Sequence, residues 1–249
     1  MKLIHRAVFL LGACLILQTN LCQGLQTGYN AMIDGSNRVI RDIRQLPPTD
    51  SISVSGPVTL VLKQSSQEQL VIEAEHNILP LIDVSRSGRT LQLNLNGQYI
   101  KTNKRVTFTV TISELKSLQA YGQVLIDGQS GVKASALSIG LNGAVQAKIR
   151  LASEKLIVKL QGQSSLDIFG NAAKQDIVIS GHSIFQGQQL KGANGQLLIT
   201  GQGTGNVNIQ KNLTVEIQSS GTAIYQGRPV INKQIAQYGQ LISGFESHS

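Results

Sequence analysis

Val158-Lys159-Leu160-Gln161-Gly162, Ile177-Val178-Ile179-Ser180-Gly181 and Leu197-Leu198-Ile199-Thr200-Gly201 are three copies of one phrase, an alternation of aliphatic residues that ends on glycine. The phrase recurs from Leu118 to Leu241 with its glycines at Gly122, Gly143, Gly162, Gly181, Gly201, Gly221 and Gly239, in steps of 21, 19, 19, 20, 20 and 18 residues. Four positions before them stand Leu118, Ile139, Val158, Ile177, Leu197, Ile217 and Ile235. Two positions before stand Ala120, Leu141, Leu160, Ile179 and Ile199, and then the column lapses to Ser219 and Gln237. Beyond the glycine the alternation resumes, as in Val145, Ala147, Ile149 and in Leu166, Ile168. A period of two is the signature of strands.

A unit of about 20 residues with two short strands about a glycine corner cannot bury its apolar face alone and must stack on its neighbours. The reading is all-β: a right-handed parallel β-helix, or β-solenoid, in which each coil adds one aliphatic residue to an inward ladder and one glycine to a tight corner. A β-sandwich or antiparallel meander is the alternative, since its strands also alternate with turns. Neither gives a reason for one glycine to return in fixed phase.

The chain of 249 residues is poor in aromatics (4%, no Trp) and in charge (14%), and rich in uncharged polar side chains. Its formal charge of +8 comes from Lys and Arg set mostly one at a time between strands. This reads as a solvated basic face with a weak pull on acidic polysaccharide, lipid head groups or cell surfaces, and without the aromatic platform of a nucleic-acid binder.

Lys2 and Arg6, the apolar run Ala7 to Leu17 and the polar stretch ending at Gly24 read as a secretory signal peptide over 1–24. Cleavage there removes both cysteines, Cys14 and Cys22. A rival reading takes Leu11-Gly12-Ala13-Cys14 as a lipobox, which makes Cys14 a lipidation site and the protein lipid-anchored. No second apolar segment is long enough for a transmembrane helix. The expected location is the periplasm, the outer cell surface or the medium; oligomeric state is left open.

Residues 25–50 read as an irregular lead-in or edge strand, with a short apolar phase at Val39 and Ile43, closed at Pro47-Pro48, and 51–244 as one domain, with N-terminal strands over 51–115, repeated coils over 116–244 and a tail at 245–249. Ile52 and Val54, Val58 to Leu62, Leu70 to Ala74, Leu91 to Leu95 and Val106 to Ile112 alternate as half-buried strands. These are read as lacking the glycine phase and as covering the first open edge of the solenoid. Asn77 to Ile82, with Pro80, suggests a short helical turn.

Ile52-Ser53-Val54-Ser55-Gly56-Pro57-Val58, Glu73-Ala74-Glu75 with the following Asn77 to Ile82, the Leu91 strand and the glycine phrases resemble the GIN domain (DUF2807), the head domain attributed to autotransporter adhesins. The resemblance spans Val39 to Gly244. The family's corner reads Ser-Gly-Ala or Ser-Gly-Ser; Ser180-Gly181-His182 and Ser220-Gly221-Thr222 stay near it, whereas Tyr121-Gly122-Gln123, Gln161-Gly162-Gln163 and Tyr238-Gly239-Gln240 depart. The resemblance implies a β-helical fold, export and an adhesin-like role. It brings no catalytic residue.

Five positions after the corner the outward column reads Asp127, Lys148, Asp167, Gln186, Asn206, Gln226, where two carboxylates flank a lysine. Such a pair lies two rungs apart with a cation between, which suits a stabilising charge ladder better than a glycosidase dyad. His76 and His182 are the only histidines in the expected fold, no cysteine joins them, and no metal or cofactor site is expected. Gly201-Gln202-Gly203-Thr204-Gly205-Asn206 lacks the aspartates of a calcium repeat and reads as an irregular corner.

What remains is a polar ridge beside the glycines: Tyr121, Asn142, Gln161 and Tyr238 before them, Gln123, Gln163, His182, Gln202 and Gln240 after them. Such amides either hydrogen-bond along the stack or dock a partner. The functional reading is an exported, non-catalytic, adhesin-like or envelope-associated binding module for polysaccharide or protein surfaces. A structural envelope protein without a specific ligand is the alternative, and a carbohydrate-active β-helix enzyme comes third.

Overall fold

The computed structural model describes residues 32–95 and 100–244; the expected signal peptide over 1–24, the candidate lipidation site Cys14 and the tail at 245–249 lie outside the described residues. Strands β1 (Ile33–Asp34), β2 (Val39–Gln45), β3 (Ser51–Ser55), β4 (Val58–Gln64) and β5 (Gln69–Glu75) lead to a single 3-10 turn at Leu79–Leu81. Then come β6 (Ile82–Ser87), β7 (Thr90–Leu95), β8 (Ile100–Lys101), β9 (Val106–Ile112) and β10 (Ser117–Gly122). Five long strands follow, β11 (Leu125–Gly143), β12 (Gln146–Gly162), β13 (Ser165–Ile179), β14 (Ile184–Ile199) and β15 (Thr204–Ile217). The chain closes with β16 (Thr222–Gln226), β17 (Val230–Ile235) and β18 (Gln240–Ser243).

The fold is the parallel β-solenoid that the glycine phrase implies. Each of β11 to β15 runs along one face, bends at the edge away from the glycine and returns along the other, pairing in parallel with the coils on either side. Leu118, Ile139, Val158 and Ile177 fall in one register column, and all are at most 2% exposed. Each such side chain contributes about 1.5–3 kcal/mol by leaving water. Gly122, Gly143 and Gly162 pair directly. A Cβ on Gly162 would lie 2.9 Å from Gly143 O, and the residue has φ +78°, so both the corner's handedness and the close approach of the coils exclude a side chain.

The glycine ladder starts one coil earlier than the sequence suggests. In β3, Ile52 pairs with Leu118 and Val54 with Ala120, and Gly56 N donates to Tyr121 O at 3.3 Å. Ile52-Ser53-Val54-Ser55-Gly56 is thus a copy of the phrase, separated from the next by the excursion through β5 to β9. Beyond β3 the glycine face continues through β7 to antiparallel β6. The other face continues from β4 through β9 to antiparallel β5 and β2. The expected helical turn is the 3-10 turn at Leu79–Leu81, with Pro80 in its first positions.

At the other end the register slips. From β13 to β14 the offset between stacked residues becomes 20, as in Ile179↔Ile199, but the bends of β14 and β15 differ in length and the offset falls to 18, as in Ile199↔Ile217 and Ile217↔Ile235. Thr204 then pairs with Thr222 and Thr222 with Gln240, which aligns Gly203, Gly221 and Gly239 and takes Gly201 out of line with them. This corrects the columns read from sequence: Ile217 stacks on Ile199, not on Leu197, and Ser219 occupies the rung above Gly201. In the last coil the inward column above Val215 holds Lys233, which is exposed at the end of the stack.

Asp50 registers the first strands. Its buried carboxylate, 8% exposed, accepts from Arg89 Nε at 2.8 Å, Ser51 Oγ at 3.0 Å and Lys116 Nζ at 3.3 Å. Its carbonyl accepts from Lys116 N at 2.7 Å, so one residue ties the starts of β3, β7 and β10. Burial pushes this carboxyl up, but the hydrogen bonds from Arg89, Ser51 and Lys116 outweigh it and hold it below the usual aspartate range.

Candidate functional site

The glycine corner exposes its neighbours because no side chain covers them. The column after the glycines is real over five coils: the amides of Ala144, Gln163, His182 and Gln202 donate to the carbonyls of Gly122, Gly143, Gly162 and Gly181, at 2.8–2.9 Å. The column before them pairs Tyr121, Asn142 and Gln161. Tyr121, Gln123, Asn142, Gln161, Gln163, His182 and Gln202 therefore stand on one ridge and are all exposed. Tyr238 and Gln240 do not continue their expected columns; the two-residue slip moves Gln240 into line with Thr204 and Thr222.

The ridge has two chemically different halves. His182 Nε2 and Gln202 Oε1 are 2.7 Å apart, and Ser180 and Thr200 hydroxyls 3.0 Å apart, so the C-terminal half is tied into a ladder. Among the described residues the side chains of Asn142, Gln161 and Gln163 form no such bond. Beneath the corner, two buried serines missed by the sequence reading hold the coils together. Ser183 Oγ donates to Gly162 O at 3.3 Å, and Ser164 Oγ lies 3.1 Å from Gly143 O. Their signal was present: the second position after glycine, Val124 and Val145 in earlier coils, turns polar while the alternation demands an inward residue.

Beside the amide half of the ridge, the outer face after the corner holds a shallow depression of about 610 Å³, lined by Thr59, Leu125, Asp127, Gln146, Lys148, Gln163, Ser165 and Asp167. A second, of about 260 Å³, continues it past Gln129, Phe169, Gln186 and Gln188. The two share Lys148 and Asp167, an ion pair at 3.3 Å. Arg150 lies over the Phe169 ring, 5.3 Å from its centroid. Asp127 accepts from the backbone N of Gln129 at 3.0 Å.

The sequence-derived column Asp127, Lys148, Asp167 is thus a real register column, and Asn206 still belongs to it through Gln186. Gln226 does not: it pairs with Asn208. The carboxylates sit about two strand spacings apart, ~9.6 Å, with the lysine between them. The groove offers amides, an ion pair and small apolar patches. Among the described residues no group of three or more His, Cys, Asp or Glu side chains is arranged to hold a metal. No helix among them is long and apolar enough to cross a membrane.

A glycine-edged parallel stack with an uncharged ridge and a shallow outer groove belongs to the class of parallel β-solenoid proteins. Within that class, the chain belongs to the family described as "Putative auto-transporter adhesin, head GIN domain", whose model matches residues 49–229. Its fold is similar to that of a solved "putative adhesin" from Bacteroides fragilis NCTC 9343, with TM-score 0.79 and 21% identity over 85% of this chain and 99% of that one. A "putative adhesin" from Parabacteroides distasonis ATCC 8503 superposes with TM-score 0.71 at 16% identity, covering 86% and 100% of the two chains. A "Putative lipid binding protein" from the same organism gives TM-score 0.65 at 17% identity over 86% and 99%. No curated protein matches the chain.

Proposed function

We propose that the protein is an exported, adhesin-like binding module that docks an extended glycan along the groove beside the amide half of the ridge, without transforming it. The observation that carries this reading is the contrast between the tied half of the ridge and the unpaired amides that line the groove. His182 and Gln202 satisfy each other, while Gln146 and Gln163 present their amides to the groove with no side-chain partner among the described residues. Amides placed along a shallow, elongated depression suit the hydroxyls of a sugar chain. Each contact is weak, so useful retention comes from several sites engaged at once. The adhesin description of the family supports the same role, and the expected signal peptide over 1–24 supports export to the periplasm, cell surface or medium.

The test is retention on immobilised neutral polysaccharides with released fragments assayed in the same wells. The double substitution Gln146→Ala/Gln163→Ala removes two neutral hydrogen-bonding groups and is expected to weaken retention about tenfold, with the strand signature in circular dichroism unchanged. Undiminished retention would remove the groove from consideration. Release of fragments that stops in Asp127→Asn/Asp167→Asn would replace the binding module by an enzyme.

A further inference from the structure

The two edges of the solenoid differ in charge. Along the glycine edge, the residues flanking the seven corner glycines include no Lys, Arg, Asp or Glu. At the opposite edge, where the long strands bend, each successive coil contributes a cation: Lys133, Lys155, Lys174, Lys191, Lys211 and Arg228, all exposed. Register places them close together. Lys155 pairs directly with Lys174, and the column beside it runs Lys133, Ala152, Asn171, Lys191. Among the described residues Glu154 is the only carboxylate on the bends of the long strands. Of the six cations, only Lys155 forms an ion pair among the described residues, reaching Asp176 at 3.6 Å from the neighbouring face. Placing Lys155 and Lys174 on adjacent strands costs stability, which the Lys155–Asp176 ion pair offsets in part.

The rail repeats with the coil, at about 4.8 Å per step, and spans about 24 Å from the first coil to the sixth. The cations fall in and between two neighbouring columns three residues apart, Lys155 and Lys174 in one and Lys133 and Lys191 in the other, and this narrow band with one charge per coil complements a linear polyanion lying parallel to the solenoid axis. It fits the flat surface of a bilayer poorly: among the described residues Val230, 75% exposed at the far end, is the only strongly exposed large apolar side chain near the rail. Among the same residues no exposed aromatic ring lies there on which nucleic-acid bases could stack.

We propose that this edge docks a linear acidic polysaccharide bearing regularly spaced carboxylates or sulfates. None of the six cations lines the groove, whose far end at Gln189 stops two residues short of Lys191, so the edge is a distinct set of side chains that adjoins it.

The experiment measures binding of the protein to polygalacturonate and to dextran across a salt series, for the wild type and for Lys174→Glu/Lys191→Glu/Lys211→Glu. The expected results are binding to polygalacturonate but not through this edge to dextran, and affinity that falls as salt rises. In the triple variant, affinity at low salt should drop about tenfold or more, with a shallower salt dependence. The milder Lys174→Gln/Lys191→Gln/Lys211→Gln should fall between the two, which separates charge loss from misfolding. Equal binding by the wild type and both variants would overturn the proposal. So would tighter, equally variant-sensitive binding to phosphatidylglycerol vesicles or to duplex DNA, either of which would reassign the rail. Loss of dextran retention by the groove variant alone bears on the groove and leaves the edge untouched.

Discussion

The coils from Gly122 to Gly181 and those from Gly201 to Gly239 carry the same phrase but use its glycine differently. In the first set all four corner glycines adopt φ between +71° and +108°, and the added Cβ would strike the backbone of the coil below at Gly143, Gly162 and Gly181. In the second set none adopts a positive φ; at Gly221 and Gly239 the nearest obstruction is the side chain of Ile199 or Ile217. The early glycines are needed for a backbone conformation and the late ones mainly for room. A recurring letter therefore reports a recurring position only while the coil length holds, and here that length changes within the bends of β14 and β15.

The sharpest way to break this comparison is Gly162→Val. It adds a β-branched side chain at φ +78° and 2.9 Å from a carbonyl oxygen that cannot move without shifting the next coil, so the expected loss is about 3 kcal/mol or more. A chemical denaturation midpoint equal to that of the wild type would refute the left-handed corner. A second change probes the N-terminal coil, where a carboxylate registers the strands. Asp50→Asn should cost about 1–2 kcal/mol, because its cationic partners are about half exposed. The Asp50 carboxyl titrates below its unfolded value of ~3.9, so its contribution is present above that pH and lost as pH falls through the folded value. Wild type and variant should therefore differ at pH 7 and converge in acid; a gap that persists below the folded value would assign the loss to packing. Gly239→Ala should have the smallest effect, about 1 kcal/mol or less, since the methyl meets the side chains of Ile217 and Ile235 in a terminal coil. A loss as large as that of Gly162→Val would erase the distinction between the two sets.

The repeat was legible because the inward ladder and the corner are both local requirements, each met by one residue at a fixed offset. Gly56 was hidden by the 66-residue interval to Gly122, which has no counterpart later in the chain; the phrase itself was intact. The slip was hidden for the opposite reason. The step from Gly201 to Gly221 is 20 residues, matching the step before it, while the stacked offset is 18. The lapse to Ser219 and Gln237 was its visible trace. The ridge followed from the phase, and so did the Asp127, Lys148, Asp167 column of the groove, but the groove also draws Thr59 from β4, 66 residues before Leu125, and the Asp50 clamp depends on residues 39 and 66 positions away. These distant partners leave no periodic mark.

Lys233 gives the last rung a chemical terminus. A parallel stack offers its final strand as a template for another, and fibre-like growth is the ordinary hazard of such an edge. Any chain added beyond β17 would have to enclose the Lys233 ammonium in a column that is otherwise aliphatic, as at Val215. Desolvating that charge opposes further addition on the face that β17 ends.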